Sequence, residues 1–357
     1  MFSASDLKYK TTLPLPPSST QLNSNTLNNN SGTSSSSCVR FLPGSTKVSV
    51  IYSDSSFFVY DIADLNNIGK YRSFLHHSGP IWDIQPLPLK PSSPASSSLP
   101  PSPRKEAGSP ELPDGTFVTV SSDQTMRFWN LGVPGMARVT NSRWKNVFSR
   151  DLLHVSQYPQ TSPSPDIPPL APCDPDTEKT PSSNASNPSF RSLAMNPART
   201  EVACGDKSGN VMIFDINTMS HKKTMAAHDA EVMSLTYSST TGLLASASRD
   251  KLVHVFDASG SYEKLATLPN HTSTVTAVKF SNDGKKIITC GGDRALHVSE
   301  LDQKDTGLTA KKCKTISAKR GTIYDVNVDA SNKFLIMSGQ DKSVSVYNMN
   351  SGRKTRR

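Results

Sequence analysis

The chain has 357 residues and a net charge of +9, and 35% of its residues are hydrophobic while 26 are proline. A hydrophobic share this low predicts that part of the chain lies outside any packed core, and none of the five cysteines forms the CxxC pair of a disulfide or zinc framework. The absence of a secretory leader, and of an apolar run of about 20 residues, argues against a secreted or membrane-bound protein and predicts a cytoplasmic one, with the nucleus as an alternative.

Strand-forming and polar segments alternate along the chain. Residues 1–37 are rich in serine and asparagine and are predicted to be disordered. Two Pro/Ser-rich tracts at 86–113 and 157–188 are predicted to be disordered insertions, and 351–357 is predicted to be a basic tail. Period-two alternation predicts strands within Lys47–Asp61, Ile81–Ile84, Thr116–Asn130, Arg191–Met195, Glu201–Cys204, Asn210–Asp215, Ala227–Asp257, Val275–Phe280, Lys286–Cys290, Ala295–Val298, Thr322–Val328, Phe334–Ser338 and Ser343–Asn348.

A polar turn residue recurs six positions before an aromatic residue or its substitute. The last three of the five separations, 42, 43 and 48 residues, match the period of about 40–45 residues of a four-stranded propeller blade. The first two, 69 and 85 residues, exceed that period by roughly the lengths of the Pro/Ser-rich tracts, which are therefore predicted to lie inside blades. Residues 38–350 are thus predicted to form an all-β propeller with six recognisable blades. The turn residues are Asp54, Asp123, Ser208, Asp250, Asp293 and Asp341.

A set of His, Ser, Asp and an aromatic recurs in two of these blades. The aspartate can accept hydrogen bonds from the histidine ring and from backbone N–H groups, while the histidine can contact the serine hydroxyl and a tryptophan can donate to it. We predict that this network fastens the loop before the inner strand to the neighbouring hairpin, where an unpaired polar group would cost about 1–3 kcal/mol. The set is His77, Ser121, Asp123 and Trp129 in the second blade and His228, Ser248, Asp250 and Phe256 in the fourth.

The other blades retain less of the set. The fifth has His271 and Asp293 but Gly291 at the serine position. The sixth has Asp341 and, near the histidine position, Lys319, whereas the third has no clear preceding histidine. These blades are predicted to depend more on apolar packing.

His228, Ser248 and Asp250 are also the residue types of a hydrolase triad. However, this serine ends a strand without a Gly-x-Ser-x-Gly elbow, and the set recurs although one active site needs one triad. The sequence also contains no phosphate-binding glycine loop and no HExxH helix. We therefore predict a non-enzymatic protein that has no catalytic residue, cofactor or metal.

A family resemblance rests on the order of a histidine, an inner strand, Ala-Ser-Ala-Ser-x-Asp and a strand that ends in an aromatic residue. This order resembles the WD-repeat β-propeller family. More narrowly, the chain resembles the mitogen-activated protein kinase-binding protein family of double-propeller scaffolds, which includes a spindle-pole paralogue. The residues that carry the narrower resemblance are Ser121–Asn130, Gly205–Asn210, Ala227–Val232 and Leu244–Asp250.

The resemblance implies a protein–protein scaffold in a stress-activated, c-Jun N-terminal kinase pathway, in the cytoplasm and at centrosomes or spindle poles. The implied partners are kinase-pathway components or centrosomal proteins, rather than nucleic acid or membranes. Closed propellers of the family have more blades than the six visible here. The chain is therefore expected to be a fragment of the second propeller that lacks the C-terminal tail on which kinase docking depends in the family.

The net positive charge is concentrated near the C-terminus. Residues 311–357 contain eleven lysines and arginines and three aspartates, which gives +8 for this segment. We predict a solvated basic face, with nucleic-acid or acidic-partner binding through this basic C-terminal blade as the alternative. Nucleic-acid interfaces need exposed aromatic side chains between the cations, whereas Tyr324 and Tyr347 occupy strand positions at which packing is expected.

The two Pro/Ser-rich tracts contain several Ser-Pro and Thr-Pro pairs. Proline-directed kinases act on an extended, accessible acceptor that proline follows, and a phosphate placed there can pair with Lys or Arg. Ser102 is the strongest of these acceptors because Arg104 and Lys105 follow it. The candidate phosphorylation sites are Ser102, Ser109, Ser162, Ser164 and Thr180.

Overall fold

The computed structural model describes residues 13, 36–41, 46–52, 55–66, 68–74, 77–88, 112–113, 115–130, 152–159, 189–304, 307–317 and 321–356. Within these ranges the chain forms six four-stranded antiparallel sheets, which are the blades of a β-propeller. This confirms the predicted all-β architecture with six blades. No helix in the same ranges is long and apolar enough to cross a membrane.

Each blade is a meander in which four consecutive strands pair in chain order. The first three blades are β1 (Ser36–Phe41), β2 (Lys47–Tyr52), β3 (Phe57–Asp61) and β4 (Gly69–Phe74); β5 (Ile81–Pro86), β6 (Thr116–Ser121), β7 (Thr125–Asn130) and β8 (Leu152–Gln157); and β9 (Phe190–Met195), β10 (Glu201–Asp206), β11 (Asn210–Asp215) and β12 (His221–Ala226). The last three are β13 (Val232–Tyr237), β14 (Leu243–Ser248), β15 (Val253–Asp257) and β16 (Lys264–Leu268); β17 (Val275–Phe280), β18 (Lys286–Gly291), β19 (Ala295–Lys304) and β20 (Gly307–Ser317); and β21 (Ile323–Val328), β22 (Phe334–Gly339), β23 (Val344–Asn348) and β24 (Lys354–Arg356).

The first strand of each blade contacts the first strand of the next, from β1 through β5, β9, β13 and β17 to β21. Five apolar clusters lie between successive blades, so that each inner blade buries both of its faces. This explains why second strands such as β10 and β14 are buried along their whole length. Their sequences accordingly consist of small and apolar residues with few charges.

The turn between the second and third strands has a corner residue with positive φ in all six blades. In the second, fourth, fifth and sixth blades the aspartate before this corner accepts the N–H of the residue two positions on, as Asp250 does from Leu252 at 2.9 Å, and this short-range bond favours the left-handed corner between the two residues. In the third blade a Cβ on the corner Gly209 would lie 2.0 Å from the carbonyl oxygen of His228, so glycine is required there. The corner residues, all with positive φ, are Ser55, Gln124, Gly209, Lys251, Arg294 and Lys342.

The large exposed hydrophobic residues of the described ranges all lie on the first and sixth blades. Ile336 on β22 is 38% exposed, whereas its counterparts on β14 and β18, Ala245 and Ile288, are fully buried by the blade that follows. The sixth blade therefore presents the apolar face that the next blade covers elsewhere. The exposed residues are Val39, Phe41, Leu65, Tyr324, Ile336 and Val344.

Several predicted segment boundaries differ from the structure. β1 begins at Ser36, inside the segment predicted to be disordered, and Leu13 packs against the apolar cluster on the first blade. β8 extends to Gln157, and residues 354–356 form the outer strand β24 where a basic tail was predicted, because β23 offers them an unpaired edge. Most of both Pro/Ser-rich tracts, with all five candidate phosphorylation sites, lies outside the described residues.

Candidate functional site

A buried hydrogen-bond chain crosses the second blade. His77 Nδ1 lies 2.8 Å from Asp123 Oδ2, and His77 Nε2 lies 2.8 Å from the hydroxyl of Thr119. Trp129 Nε1 donates to the same hydroxyl at 2.9 Å. Because a carboxylate only accepts, Nδ1 carries a proton, and the threonine oxygen accepts from the indole.

The hydroxyl in this chain is two residues away from the predicted one. Ser121 donates instead to the carbonyl oxygen of Gly79 at 2.9 Å and accepts the N–H of Asp123 at 3.2 Å. Thr119 and Ser121 share one face of β6, and the inner position is the one that faces the histidine. The sequence signal is therefore a hydroxyl four residues before the turn aspartate, which the sequence analysis missed.

The same arrangement recurs in the fourth and fifth blades, where the corresponding hydroxyls are Ser246 and Thr289. His228 Nδ1 lies 2.8 Å from Asp250, and its Nε2 lies 2.7 Å from Ser246. His271 Nε2 lies 2.8 Å from Thr289, while its Nδ1 lies 3.0 Å from Asp293. The fifth blade thus has an aspartate–histidine–hydroxyl chain, although Gly291 and Ser299 occupy the places of Ser121 and Trp129.

The predicted serine of the fourth blade takes no part in its chain. Ser248 donates to the carbonyl oxygen of Ala230 at 2.9 Å, as Ser121 does to Gly79 in the second blade. Phe256, at the place of Trp129, packs in the apolar cluster between the third and fourth blades. In the sixth blade Asp341 accepts both the N–H and the hydroxyl of Ser343, at 3.1 and 2.7 Å, while Lys319 lies outside the described residues.

In the third blade a tyrosine from the preceding blade bonds to an aspartate two residues before the turn residue Ser208. The hydroxyl of Tyr158 donates to Asp206 at 2.6 Å, and Asp206 also accepts the N–H of Asn210 at 2.7 Å. Burial and this bond to Asp206 raise the pKa of Tyr158, so that the phenol stays protonated. Tyr158 was predicted to lie in a disordered tract, since its neighbours in sequence are polar and proline-rich.

A second histidine accompanies the first in the fourth and fifth blades, four residues after the turn aspartate. His254 stacks on His228 with ring centroids 4.4 Å apart and places its Nδ1 2.9 Å from Thr267. His297 lies against His271 edge to face, with ring centroids 4.5 Å apart. Burial, together with the proximity of the other ring, lowers the pKa of both His254 and His297 to about 4. Both rings are therefore neutral at physiological pH.

The two histidine pairs also raise the question of a metal. In each blade the donor atoms of two histidines and one aspartate lie within 4.8 Å of one another. However, both nitrogens of His228 and of His271 are already in hydrogen bonds, and an ion would have to replace two of those bonds. The donor set therefore fits an internal support of the blade better than a metal centre.

Ser246, His228 and Asp250 have the hydrogen-bond order of a hydrolase triad. Ser246 is 0% exposed and lies on a strand that is buried along its whole length. A substrate has no route to this hydroxyl, and the equivalent residue is a threonine in the second and fifth blades. The geometry therefore supports the blade and offers no site for acyl transfer.

A β-bulge at the second residue of every inner strand shapes one rim of the propeller. The strand pairing skips this residue in all six blades, which redirects its side chain. In each of the second to sixth blades, a turn N–H donates to the carbonyl two residues before the bulge, as Arg249 does to Glu231 at 3.0 Å, so bulge and turn lie at the same end. The bulge residues with described side chains are Trp82, Arg191, Met233, Thr276 and Tyr324.

The bulge residues of the second and third blades contact each other across this rim. Trp82 donates its indole N–H to Ser122 at 2.5 Å, and the guanidinium of Arg191 lies over the indole ring at 3.7 Å. Arg191 also pairs with Glu231 at 2.8 Å, and Arg249 lies 3.9 Å from the same carboxylate. The rim is therefore connected from the second to the fourth blade.

Comparison with known protein families agrees with the blade repeat predicted from the sequence. A family model described as "WD domain, G-beta repeat" matches residues 219–257 and 262–298, which comprise most of the fourth and fifth blades. The chain therefore contains WD repeats. The resemblance stated from its sequence is confirmed for the repeat and for the propeller fold.

Two groups of longer proteins are similar over most of the chain. It is 34% identical to WD repeat-containing protein 62 of Sus scrofa over 326 residues, which cover 88% of this chain and 19% of the relative. It is 31% identical to mitogen-activated protein kinase-binding protein 1 of Homo sapiens over 324 residues, which cover 88% of this chain and 20% of the relative. Nuclear distribution protein PAC1 of Gibberella zeae matches a shorter part, with 29% identity over 139 residues, 38% of this chain and 30% of the relative. The chain thus spans about one fifth of the first two relatives.

Proposed function

We propose that this WD-repeat protein is a non-enzymatic scaffold that binds protein partners in stress-activated kinase signalling and at centrosomes or spindle poles. The observation that carries the proposal is the similarity, over 88% of the chain, to a protein whose name states that it binds a mitogen-activated protein kinase. The proposed partners are kinase-pathway components or centrosomal proteins, met in the cytoplasm.

The hydrogen-bond chains support a binding role rather than a catalytic one. They are buried in the second, fourth and fifth blades and hold the loop before each inner strand against the neighbouring turn. A rigid support of this kind keeps the rim loops in fixed positions, and fixed loops reduce the entropic cost of binding a partner. The function therefore lies in the surface that the blades present.

The proposal is tested by proximity labelling with a biotin ligase fused to the chain, in cycling cells and in cells under osmotic stress. We expect enrichment of mitogen-activated protein kinase pathway components under stress and of centrosomal proteins in mitosis, relative to the ligase alone. Enrichment of neither class would contradict the proposal. Labelling confined to nucleic-acid-binding proteins would instead favour the basic C-terminal blade as a nucleic-acid surface.

A further inference from the structure

The rim that carries the bulges also carries three cations. They occupy turn positions whose left-handed backbone is unfavourable for residues other than glycine. Lys251, Arg294 and Lys342 are the left-handed corners of the fourth, fifth and sixth blades, with φ of 74°, 65° and 56°. A residue other than glycine is uncommon in this region, and the corresponding corner of the third blade is glycine. Three consecutive blades therefore place a long basic side chain where the backbone favours a small one.

The carboxylates that precede these three cations are hydrogen-bonded to other groups. The carboxylate of Asp250 accepts from His228 and from two backbone N–H groups, and that of Asp293 does the same with His271. In the described part of the chain, the corner lysines and arginine form no ion pair, and all three residues are exposed. Their charges are therefore available to a ligand.

An aromatic side chain accompanies the cations on the sixth blade. Tyr324 is the bulge residue of β21 and is 55% exposed, although its place in a strand predicts packing. Tyr347, by contrast, is 6% exposed and belongs to the apolar cluster between the fifth and sixth blades. The bulge thus exposes a large amphipathic ring on the rim that also carries the corner cation Lys342.

We propose that the rim of the fourth to sixth blades binds an extended peptide segment of a partner protein that is rich in aspartate and glutamate, with Tyr324 as its apolar contact. The inference rests on the proposed scaffold function and specifies the chemistry of its partner. Carboxylates fit better than phosphate, because phosphate recognition needs several donors converging on one group, whereas these cations belong to three separate blades. Charges spaced along an extended chain match that arrangement.

The test measures binding of a fluorescein-labelled polyglutamate peptide with one central tryptophan by fluorescence anisotropy. The rim variant Lys251→Gln/Arg294→Gln/Lys342→Gln is compared with the control variant Lys311→Gln/Lys312→Gln/Lys333→Gln. The control removes three exposed lysines outside the rim and therefore changes the net charge equally. Circular dichroism melting of both variants establishes that each is folded.

We expect the rim variant to bind polyglutamate about tenfold more weakly, since three exposed pairs of modest strength together account for such a change. The control variant binds as the unmodified chain does, Tyr324→Ala weakens binding several-fold, and a polyglutamine peptide does not bind. Binding also weakens as the salt concentration rises. Equal weakening by the rim and control variants would overturn the inference, because it would show attraction by net charge alone.

Two further probes separate other ligands from the proposed one. A peptide with phosphoserine in place of glutamate that binds more than tenfold tighter would overturn the carboxylate assignment in favour of a phosphorylated segment. An oligothymidylate that binds more tightly than polyglutamate, and loses binding in the rim variant, would show a nucleic-acid surface. If proximity labelling of partner proteins persists in the rim variant, only this inference fails, whereas a chain that labels no partner contradicts the scaffold function itself.

Discussion

His77 and Thr119 lie 42 residues apart in sequence and are joined at 2.8 Å through Nε2 and Oγ1. The threonine hydroxyl also accepts from Trp129 at 2.9 Å, so one side chain connects the loop before the inner strand with the second and third strands. Asp123 completes the chain; although burial alone would raise its pKa, the hydrogen bonds from His77 and Thr125 hold that pKa below the usual range. The aspartate is therefore ionised at physiological pH.

Replacing Thr119 by valine is expected to destabilise the protein, since valine keeps the shape but removes the hydroxyl that serves both His77 and Trp129. We expect the free energy of unfolding in urea to fall by about 1–3 kcal/mol, the cost of leaving buried polar groups without their partner. The control is Thr224→Val, which breaks an exposed bond of 2.8 Å between Thr224 and His221. An equal loss in both variants would contradict the importance of burial in this chain.

The paired histidines of the fourth and fifth blades predict a loss of stability in mild acid. The folded state holds the pKa of His254 and of His297 at about 4, below their usual value near 6.5. Because the unfolded chain takes up these protons first, the contribution is complete above pH 6.5, falls as the pH decreases towards 4, and is constant below that. We expect the unfolding free energy to fall by at least about 1 kcal/mol across this window.

The double variant His254→Gln/His297→Gln removes both titrating rings and should flatten the dependence between pH 6.5 and 4. The matched control is His221→Gln, an exposed histidine for which a smaller effect is expected. Urea unfolding followed at half-unit pH intervals measures both. An unchanged slope in the double variant would show that other groups cause the loss of stability.

The repeat could be predicted from the sequence because the turn aspartate forms a hydrogen bond with the backbone of its own turn. Asp123, Asp250 and Asp293 each accept the N–H two residues ahead, so the spacing of turn and aromatic is fixed by local geometry. The partner of the histidine could not be predicted in the same way. Thr119 and Ser121 lie on the same strand face, and the three-dimensional position of the loop decides which one the imidazole reaches.

Contacts between blades were harder still to predict from the sequence. The pairing of Tyr158 with Asp206 joins two blades across a sequence in which residues 160–188 intervene, and no local pattern marks the tyrosine as a substitute for histidine. Similarly, Tyr324 occupies a regular strand position in sequence, and the bulge that exposes it appears only in the pairing of β21 with β22. Bulges leave little trace in the alternation of apolar residues.

Replacing Tyr158 by phenylalanine should weaken the contact between the second and third blades. The ring still packs against Phe190 at 5.3 Å, but the donor to the buried carboxylate of Asp206 is lost. We expect a loss of about 1–2 kcal/mol, because a hydrogen bond to a charged group is removed while three other donors remain on Asp206. Tyr324→Phe, at an exposed position, is the control and should leave the urea midpoint unchanged.

Gly209→Ala is expected to be the most destabilising single change at a turn. The added Cβ would lie 2.0 Å from the carbonyl oxygen of His228, and the φ of +93° is itself unfavourable for alanine. Gly242→Ala separates these two effects, because its φ is +63° and no atom lies within 4 Å of the added Cβ. We expect Gly242→Ala to cost about 1 kcal/mol. Gly209→Ala should cost several times more, or prevent folding, because the backbone around His228 must move and with it the bonds to Asp250 and Ser246. Similar melting temperatures for the two variants would show that the fourth blade accommodates such a shift.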